Sequence, residues 1–162
     1  MTAHRSLVVG STGLVGEEVV NELASKGIPV KALSRIDLNS PNPLVENIKV
    51  NFDCLHEYEE HFKEVSDVYI CLGTTISKAG SEEAFEKVDI DYCLETAKQA
   101  LNAGVKNLSL ITSIGADSSS SNFYLKTKGT IEDKISKLGF PSFSVHRPGL
   151  LIGPRKEMRL AE

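Results

Sequence analysis

The chain has 162 residues, the length of one domain with a substantial core. Its hydrophobic content of 41% and charged content of 25% are typical of a soluble globular protein, and no apolar run approaches the roughly 20 residues of a membrane span. The net charge of −4 gives no reason to expect a nucleic acid or an anionic membrane as partner. We therefore expect a single domain over residues 1–162.

The cysteines and the N-terminus both bear on location. Cys54, Cys71 and Cys93 are odd in number and far apart, so we interpret them as reduced thiols, with Cys71 in a strand. Residues 1–5 run straight into the first predicted strand and leave no room for a signal peptide. These features predict a cytoplasmic protein.

Three glycines spaced three apart follow the first predicted strand, residues 7–9. Apolar residues at helical spacing come next, and Lys26-Gly27 ends the predicted helix. A strand, a glycine turn and a helix form the geometry that holds a dinucleotide pyrophosphate. Gly10 would permit the tight turn, Gly13 the approach of phosphate to backbone, and Gly16 the packing of helix on strand. The loop is one residue longer than in Gly-x-Gly-x-x-Gly, and a plain strand-to-helix turn is the alternative.

The rest of the chain alternates predicted strands and helices. Strands are predicted at 28–33, 47–52, 67–72, 107–113 and 142–146, helices at 55–64, about 81–103 and 122–138, and a loop at 37–46. Such alternation implies right-handed crossovers and an α/β fold. We predict a Rossmann-type doubly wound parallel sheet of strand order 3-2-1-4-5-6, with helices on both faces.

Residues rich in Gly, Ser, Thr and Arg cluster at the carboxyl ends of these strands. The clusters are residues 10–16, 34–35, 53, 73–75, 112–113 and 147–149. Ligands of open α/β sheets bind outside the carboxyl ends of the strands. A purely structural protein has no reason to concentrate such residues there, so we predict the ligand site at this edge.

Tyr124 and Lys128 stand four residues apart, so on a helix they share a face. A cation close to a phenol stabilises the phenolate and suits the tyrosine to proton transfer with a carbonyl or alcohol oxygen. Ser113, one strand end away, would hydrogen-bond the same oxygen. This trio suits carbonyl reduction or alcohol oxidation, with the hydride carried by a nicotinamide. The alternative is a tyrosine packed against a lysine stem.

These motifs resemble the short-chain dehydrogenase/reductase superfamily in its atypical or extended branch, and most closely the Tat-interacting-protein-like NAD(P)-binding oxidoreductases. The segments that carry the resemblance are 10–16, 71–75, 78–80, 113–117, 121–123, 128–129, 147–149 and 155–157. They span nearly the whole chain in the expected order. Thr112-Ser113 departs from the Ser-Ser pair common in similar proteins, which raises a serine role shared between these two residues as an expectation.

The resemblance implies catalytic roles for Ser113, Tyr124 and Lys128. The cofactor-binding residues that it implies are Gly10, Thr12, Gly13, Leu14 and Val15 at the glycine loop, Arg35 at the adenosine ribose, Asp53 at the adenine, Leu72, Gly73 and Thr74 at the adjoining ribose and phosphates, and Lys128, Pro148 and Leu150 towards the nicotinamide. Similar proteins continue past the position of Glu162 with elements that close the substrate side. This chain is therefore expected to be either a compact member or an incomplete copy.

The residues after the second predicted strand indicate the cofactor. An acidic residue there would accept hydrogen bonds from the ribose 2′-OH of NAD, whereas Arg35 can bind a 2′-phosphate. Asp37 is the competing candidate. We expect NADP, with NAD as the alternative.

Two classes of function follow. The first is an NADP-dependent oxidoreductase of a small carbonyl or alcohol, with Tyr124 as general acid/base. The second is a dinucleotide-binding regulator that acts through protein partners with little or no catalysis. His56 and His61 stand five apart without a cysteine partner, so no metal site is predicted. In similar dehydrogenases the helix corresponding to 81–103 and the one carrying Tyr124 often pair between subunits, which raises a homodimer as an expectation, with Phe85, Tyr92 or nearby residues turned outward; a plain core stripe is the alternative.

Overall fold

Six parallel strands form one sheet in the computed structural model, which describes residues 4–37 and 40–151. The strands are β1 (Ser6–Val9), β2 (Val30–Ser34), β3 (Val45–Lys49), β4 (Asp67–Ile70), β5 (Asn107–Ile111) and β6 (Ser142–His146). Their order is β3-β2-β1-β4-β5-β6, which confirms the predicted topology. The motif at 155–157 and residues 38–39 of the predicted loop lie outside the described residues.

Helical segments cover both faces of this sheet. They are α1 (Leu14–Ser25), a 3-10 segment (Phe52–Phe62), α2 (Ile76–Ala79), α3 (Glu82–Glu86), a π-helical segment (Lys87–Tyr92), α4 (Cys93–Asn102) and α5 (Phe123–Ser136). On one face, α1 packs Val20 and Leu23 against Val8 of β1. On the other face the larger core cluster includes Ile90 of the π-helical segment and Ile131 of α5.

The predicted helix 81–103 is wrong as one continuous α-helix. It divides into α3, a π-helical segment and α4. A π-helical turn accommodates an additional residue and so changes which side chains point inward. Phe85 before the turn, Asp89 within it and Cys93 after it are all buried. Of the two residues named as facing outward, Phe85 is fully buried, whereas Tyr92 is partly exposed.

The region around the third strand also differs from its prediction. The strand is Val45–Lys49 rather than 47–52, and the helix predicted at 55–64 is the 3-10 segment, with non-helical backbone at Cys54 and Tyr58. The Asn51 side chain accepts a hydrogen bond from the backbone N–H of Asp53 and so starts this segment early. Asp53 therefore lies in the first turn of the segment.

Candidate functional site

The glycine turn between β1 and α1 is built on close contacts between backbone atoms. Gly10 has φ +83°, a left-handed conformation that favours glycine, and a Cβ there would lie 2.8 Å from the carbonyl carbon of Cys71. A Cβ on Gly16 would lie 2.1 Å from the carbonyl oxygen of Gly10. The fold itself therefore requires both glycines, in the tight turn and the helix packing that the sequence predicted.

Gly13 differs from its two neighbours in this turn. Its φ is −79°, and a Cβ there would have Gly10 O as its neighbour at 3.5 Å, an ordinary contact. The packing of the protein therefore does not require a glycine at this position. Gly13 is the N-cap of α1, and no side chain among residues 4–37 and 40–151 caps the helix there. A backbone bare of side chains at a helix N-terminus fits a pyrophosphate group.

The turn lies directly beside the end of β2. Ser11 donates hydrogen bonds to the carbonyl oxygen of Leu33 from its backbone N–H and its hydroxyl, at 3.4 and 3.2 Å. Arg35 follows two residues later, is exposed, and forms no ion pair within the described part of the chain. Asp37, the competing candidate, is ion-paired with Lys49 at 3.0 Å. The guanidinium is available to a ligand, whereas the carboxylate already has a cation.

Asp53, predicted to contact the adenine, is tied to the π-helical segment. Its carboxylate is 2.7 Å from the Lys87 ammonium and accepts a 2.7 Å hydrogen bond from the Tyr92 hydroxyl. These bonds, that of Lys87 first, hold the pKa of Asp53 below its ordinary value. The Tyr92 ring also stacks on Phe52, with centroids 5.4 Å apart. The structure thus joins the end of β3 to the helical segments that follow β4.

A buried ion pair forms the centre of the site. The Lys128 ammonium contacts Oδ1 of Asp89, and these side chains are 8% and 0% exposed. Oδ2 of Asp89 accepts a 3.0 Å hydrogen bond from the backbone N–H of Thr74. A Cβ on Gly73 would lie 3.7 Å from both the ammonium and Oδ1, and the ammonium is 5.5 Å from the centroid of the Tyr124 ring. Three predicted residues, Gly73, Thr74 and Lys128, thus lie against the Asp89 carboxylate, which the sequence motifs did not indicate.

A pattern in the sequence would have pointed to Asp89. It stands four residues after Phe85 and four before Cys93, with Ala97 four further on, and these three are buried. An acid within an apolar stripe at helical spacing indicates a buried carboxylate with a specific partner. The partner itself, 39 residues away at Lys128, is not visible in that pattern.

Burial and charge act in opposite directions on Lys128. Burial lowers the pKa of the ammonium. The nearby Asp89 carboxylate and its hydrogen bond raise that pKa by more than burial lowers it, so the pKa lies above its ordinary value. Lys128 is therefore charged at neutral pH despite its burial. Phe85 packs against the neighbouring Tyr124 ring, with centroids 6.0 Å apart, and restricts its position.

The loop after β5 brings Ser113 to the same edge of the sheet. The Ser113 hydroxyl donates to the carbonyl oxygen of Ile114 at 3.3 Å, and the Ile114 N–H donates to the carbonyl oxygen of Pro148 at 3.0 Å. The pairing of β5 with β6 thus continues past the ends of both strands. It brings Ser113, which precedes Ile114, close to Pro148, another predicted site residue. The loop returns to α5 through a hydrogen bond from Asp117 N–H to Leu125 O at 3.1 Å.

A second buried acid, Glu132, holds this loop region together, and our sequence analysis also missed it. It accepts a 2.6 Å hydrogen bond from the Thr112 hydroxyl and a 3.0 Å bond from Nε of Arg147, which makes a second contact with the same carboxylate. The bond to Glu132 raises the pKa of Arg147. The Thr112 hydroxyl is engaged with Glu132, which argues against a serine role shared with Ser113.

Gly129 explains how α5 approaches this loop. A Cβ there would lie 2.1 Å from the backbone nitrogen of Ser118. The loop backbone therefore presses on α5 immediately after Lys128, and only a glycine permits that contact.

The remaining predicted cofactor residues lie at the same edge without joining the central cluster. Thr12 is exposed, and Leu14 and Val15 are partly buried at the start of α1. Leu72 is partly buried, with its backbone nitrogen 2.8 Å from where a Cβ of Gly10 would stand. Leu150, beyond β6, is 80% exposed. Cofactor contacts at these residues stay predictions.

Comparison with known proteins identifies the kind of ligand. A family model described as NAD(P)H-binding matches residues 10–150. These residues contain the glycine turn, the Asp89–Lys128 pair and the loops after β5 and β6.

Two curated relatives cover nearly all of this chain. The protein HTATIP2 of Rattus norvegicus is 36% identical over 160 residues, which are 96% of this chain and 66% of that protein. The mitochondrial protein FMP52 of Candida albicans is 37% identical over 161 residues, which are 94% of this chain and 69% of that protein. The chain thus spans about two thirds of the length of these relatives.

A solved structure shows the same fold. The Bordetella bronchiseptica enzyme WbmH, solved in complex with NAD+, superposes with a TM-score of 0.81 at 12% identity. The match covers 96% of this chain and 59% of that enzyme. At this identity the likeness extends to the fold alone.

The relatives correct the predicted location. Proteins named FMP52 from five fungal species are called mitochondrial, which contradicts the prediction of a cytoplasmic protein. Reduced cysteines indicate a reducing environment but do not specify a cellular compartment, so they could not distinguish the cytoplasm from the mitochondrion. No helix among the described residues is long and apolar enough to cross a membrane.

Proposed function

The chain belongs to the NAD(P)H-binding family, and from that premise we propose that it is an NADP-dependent oxidoreductase of a small carbonyl or alcohol substrate. The observation that carries this proposal is the grouping of Tyr124 and Lys128 with the Gly73-Thr74 turn. They lie at the edge of the sheet formed by the carboxyl ends of the strands, which we call the ligand edge. A tyrosine and a lysine in contact only for packing could lie anywhere on the protein, so packing alone does not explain their location at this edge.

The preference for NADP rests on the two charged residues after β2. Arg35 is exposed and free of ion pairs within the described residues, so its guanidinium can form charge-assisted bonds to a 2′-phosphate. Asp37 is paired with Lys49 and is a weaker candidate for the 2′-OH of NAD. The pyrophosphate would lie over Gly13, where a side chain would fill its space.

In carbonyl reduction, the nicotinamide supplies the hydride when it is bound. The Tyr124 hydroxyl donates its proton to the carbonyl oxygen, which yields the alcohol and leaves a phenolate that solvent reprotonates. The Lys128 ammonium, 5.5 Å from the ring centroid, stabilises that phenolate. Ser113 turns its hydroxyl from the Ile114 carbonyl to the substrate oxygen.

The ligand edge also carries exposed apolar side chains that favour a substrate with an apolar substituent. The exposed large hydrophobic residues of the described chain are Ile36, Ile76, Ile114 and Leu150. Each of them follows the carboxyl end of a strand, after β2, β4, β5 and β6. Their burial under a ligand would contribute about 25 cal/mol for each Å² removed from water.

The test compares wild type with Tyr124→Phe, which keeps the ring and its contact with Phe85. NADPH and NADH affinities are measured by fluorescence titration, and NADPH oxidation is followed over a panel of aldehydes and ketones. We expect NADPH affinity to survive and turnover to fall by about 10²- to 10⁴-fold. Tyr58→Phe, which removes a hydroxyl from the 3-10 segment, is the matched control and should turn over like wild type.

Two results would contradict the proposal. Equal turnover by wild type and Tyr124→Phe would remove Tyr124 from the chemistry. Tight NADPH binding with no turnover of any carbonyl would favour the regulatory alternative, a dinucleotide-binding protein that acts through protein partners. The homodimer stays a prediction, and light scattering at micromolar concentration tests it.

A further inference from the structure

Asp89 is a carboxylate in the interior of the protein that neither the sequence motifs nor the proposed chemistry uses. Its side chain is fully buried on the π-helical segment, against the Lys128 ammonium. A buried carboxylate is costly unless charged and hydrogen-bonding partners compensate it, and an apolar side chain would fill the same space at lower cost. Single-turn π-helical segments occur frequently at functional sites.

We propose that Asp89 is a positioning residue of the proposed reaction: its carboxylate holds the Lys128 ammonium, in charged form, beside Tyr124 and ties it to the turn after β4. This inference rests on the proposed function, since it assigns Asp89 a role through Lys128.

The two oxygens of Asp89 bind two different elements, which fixes the direction of the carboxylate. Oδ1 contacts the ammonium on α5, and Oδ2 accepts the Thr74 N–H from the turn after β4 at 3.0 Å. The ammonium therefore stays on the side of the Gly73-Thr74 turn. Phe85, one helical turn before Asp89, packs on the Tyr124 ring at 6.0 Å between centroids. One short stretch of chain thus holds both members of the Tyr124–Lys128 pair.

Charge matters here as much as position. The groups that act on the Lys128 ammonium are Asp89 on the π-helical segment, Tyr124 on α5 and the Cys93 thiol on α4, with backbone at Gly73. Burial lowers the pKa of Lys128, and Asp89 is the first of the groups that raise it. Because the folded pKa lies above the ordinary value, the pair stabilises the fold at neutral pH, and this contribution is lost as pH rises through that pKa.

Asp89→Asn tests the role of the charge because it keeps the shape and an oxygen for the Thr74 N–H. The Lys128 side chain is followed in the cofactor-free protein by NMR of ¹³C-labelled lysine, with its signal assigned from Lys128→Arg. We expect the titration midpoint of Lys128 to fall by about 1–3 pH units in Asp89→Asn. Asp91→Asn removes an exposed carboxylate from the same segment and should leave the midpoint unchanged. An unchanged midpoint in Asp89→Asn would overturn the proposal.

A second readout is the pH profile of NADPH-dependent carbonyl reduction. Without the Asp89 charge the Lys128 ammonium should lose its proton at lower pH, and the phenolate of Tyr124 then loses the cation that stabilises it. The alkaline limb of kcat should therefore move down with the Lys128 midpoint. A merely structural role for Asp89 would lower kcat at every pH and leave the limb in place. Such a result would also overturn the proposal.

Asp89→Glu keeps the inference testable if the asparagine variant does not fold. It retains the charge but displaces it by one methylene, so the Lys128 midpoint should stay near wild type while kcat falls. Wild-type kcat in Asp89→Glu would show that the position of the carboxylate is unimportant. Failure of wild type to bind NADPH or to reduce any carbonyl overturns the proposed function separately, because the Lys128 titration needs neither cofactor nor substrate.

Discussion

The two halves of the sheet form the ligand edge by opposite means. At β1 the edge is a turn that contains three residues without side chains, Gly10, Gly13 and Gly16, and at Gly10 and Gly16 backbone contacts backbone at close range. Across β4 to β6 the edge is made of charged side chains, most of them buried, in two pairs, Lys128–Asp89 and Arg147–Glu132. The first half leaves space for a ligand, and the second half places charge beside that space.

This difference teaches which kind of change each half tolerates. A site made of backbone is sensitive to added atoms, because there is no side chain that can move aside. A site made of paired charges is sensitive to lost charge or lost hydrogen bonds, even when shape is kept. Adding atoms to the first half and removing polar groups from the second half should therefore produce separable defects.

Gly13→Val should abolish dinucleotide binding and leave the fold intact. A Cβ at Gly13 meets the protein only at 3.5 Å, so its main effect is to fill the space that a pyrophosphate needs. Fluorescence titration with NADPH should show no saturable binding, while the thermal unfolding midpoint stays near wild type.

The neighbouring glycine provides the contrast for that variant. Gly16→Val should lose both binding and stability, because its Cβ would lie 2.1 Å from Gly10 O. If Gly13→Val binds NADPH as tightly as wild type, the turn does not hold the pyrophosphate.

Arg35→Ala should weaken NADPH binding by about 10- to 100-fold, since a charge-assisted bond contributes about 1.5–3 kcal/mol. NADH affinity should remain nearly unchanged because NADH carries no 2′-phosphate. Lys106→Ala, which removes an exposed cation just before β5 and away from Asp37, is the control. Equal losses for both cofactors would show that Arg35 contacts a phosphate that they share, or that its role is structural.

Much of the first half was predictable because its determinants are local. The turn, its glycine spacing and the following helix lie within about twenty consecutive residues, and backbone sterics at Gly10 and Gly16 dictate the result. The strand order followed from the alternation of strands and helices together with the handedness of crossovers.

The second half was only partly predictable because its contacts are distant in sequence. Tyr124 and Lys128 were visible as a helical pair, but the partner of Lys128 is Asp89, 39 residues earlier in the sequence. Asp89 lies in a π-helical segment that the sequence pattern does not reveal. Lys128 and Glu132 also stand four apart on α5, which predicts a bond between them. Each instead pairs with a residue of another element, Asp89 or Arg147.

Glu132→Ala should lower the free energy of unfolding by about 1–3 kcal/mol, because the buried Thr112 hydroxyl loses its acceptor. Arg147 is half exposed and can turn its guanidinium to water, which limits the loss. Urea unfolding measures the change. Glu22→Ala, which breaks an exposed pair with Lys26 on α1, is the control and should leave stability within error. Equal stability of Glu132→Ala and wild type would show that the second pair does not hold the loops after β5 and β6.

Asp37→Ala should have the smallest effect, and it separates the two cofactor hypotheses. Its carboxylate and the Lys49 ammonium are both largely exposed, and such pairs contribute little because water and salt screen them. We expect NADPH and NADH affinities within about threefold of wild type, since exposed pairs are worth about 0–1 kcal/mol. If Asp37 instead leaves Lys49 to accept the ribose 2′-OH, its removal should weaken NADH selectively, by about tenfold or more for a charged hydrogen bond. Titration of Asp37→Ala and Arg35→Ala with both cofactors therefore decides which of these two side chains after β2 binds the 2′ position of the adenosine ribose.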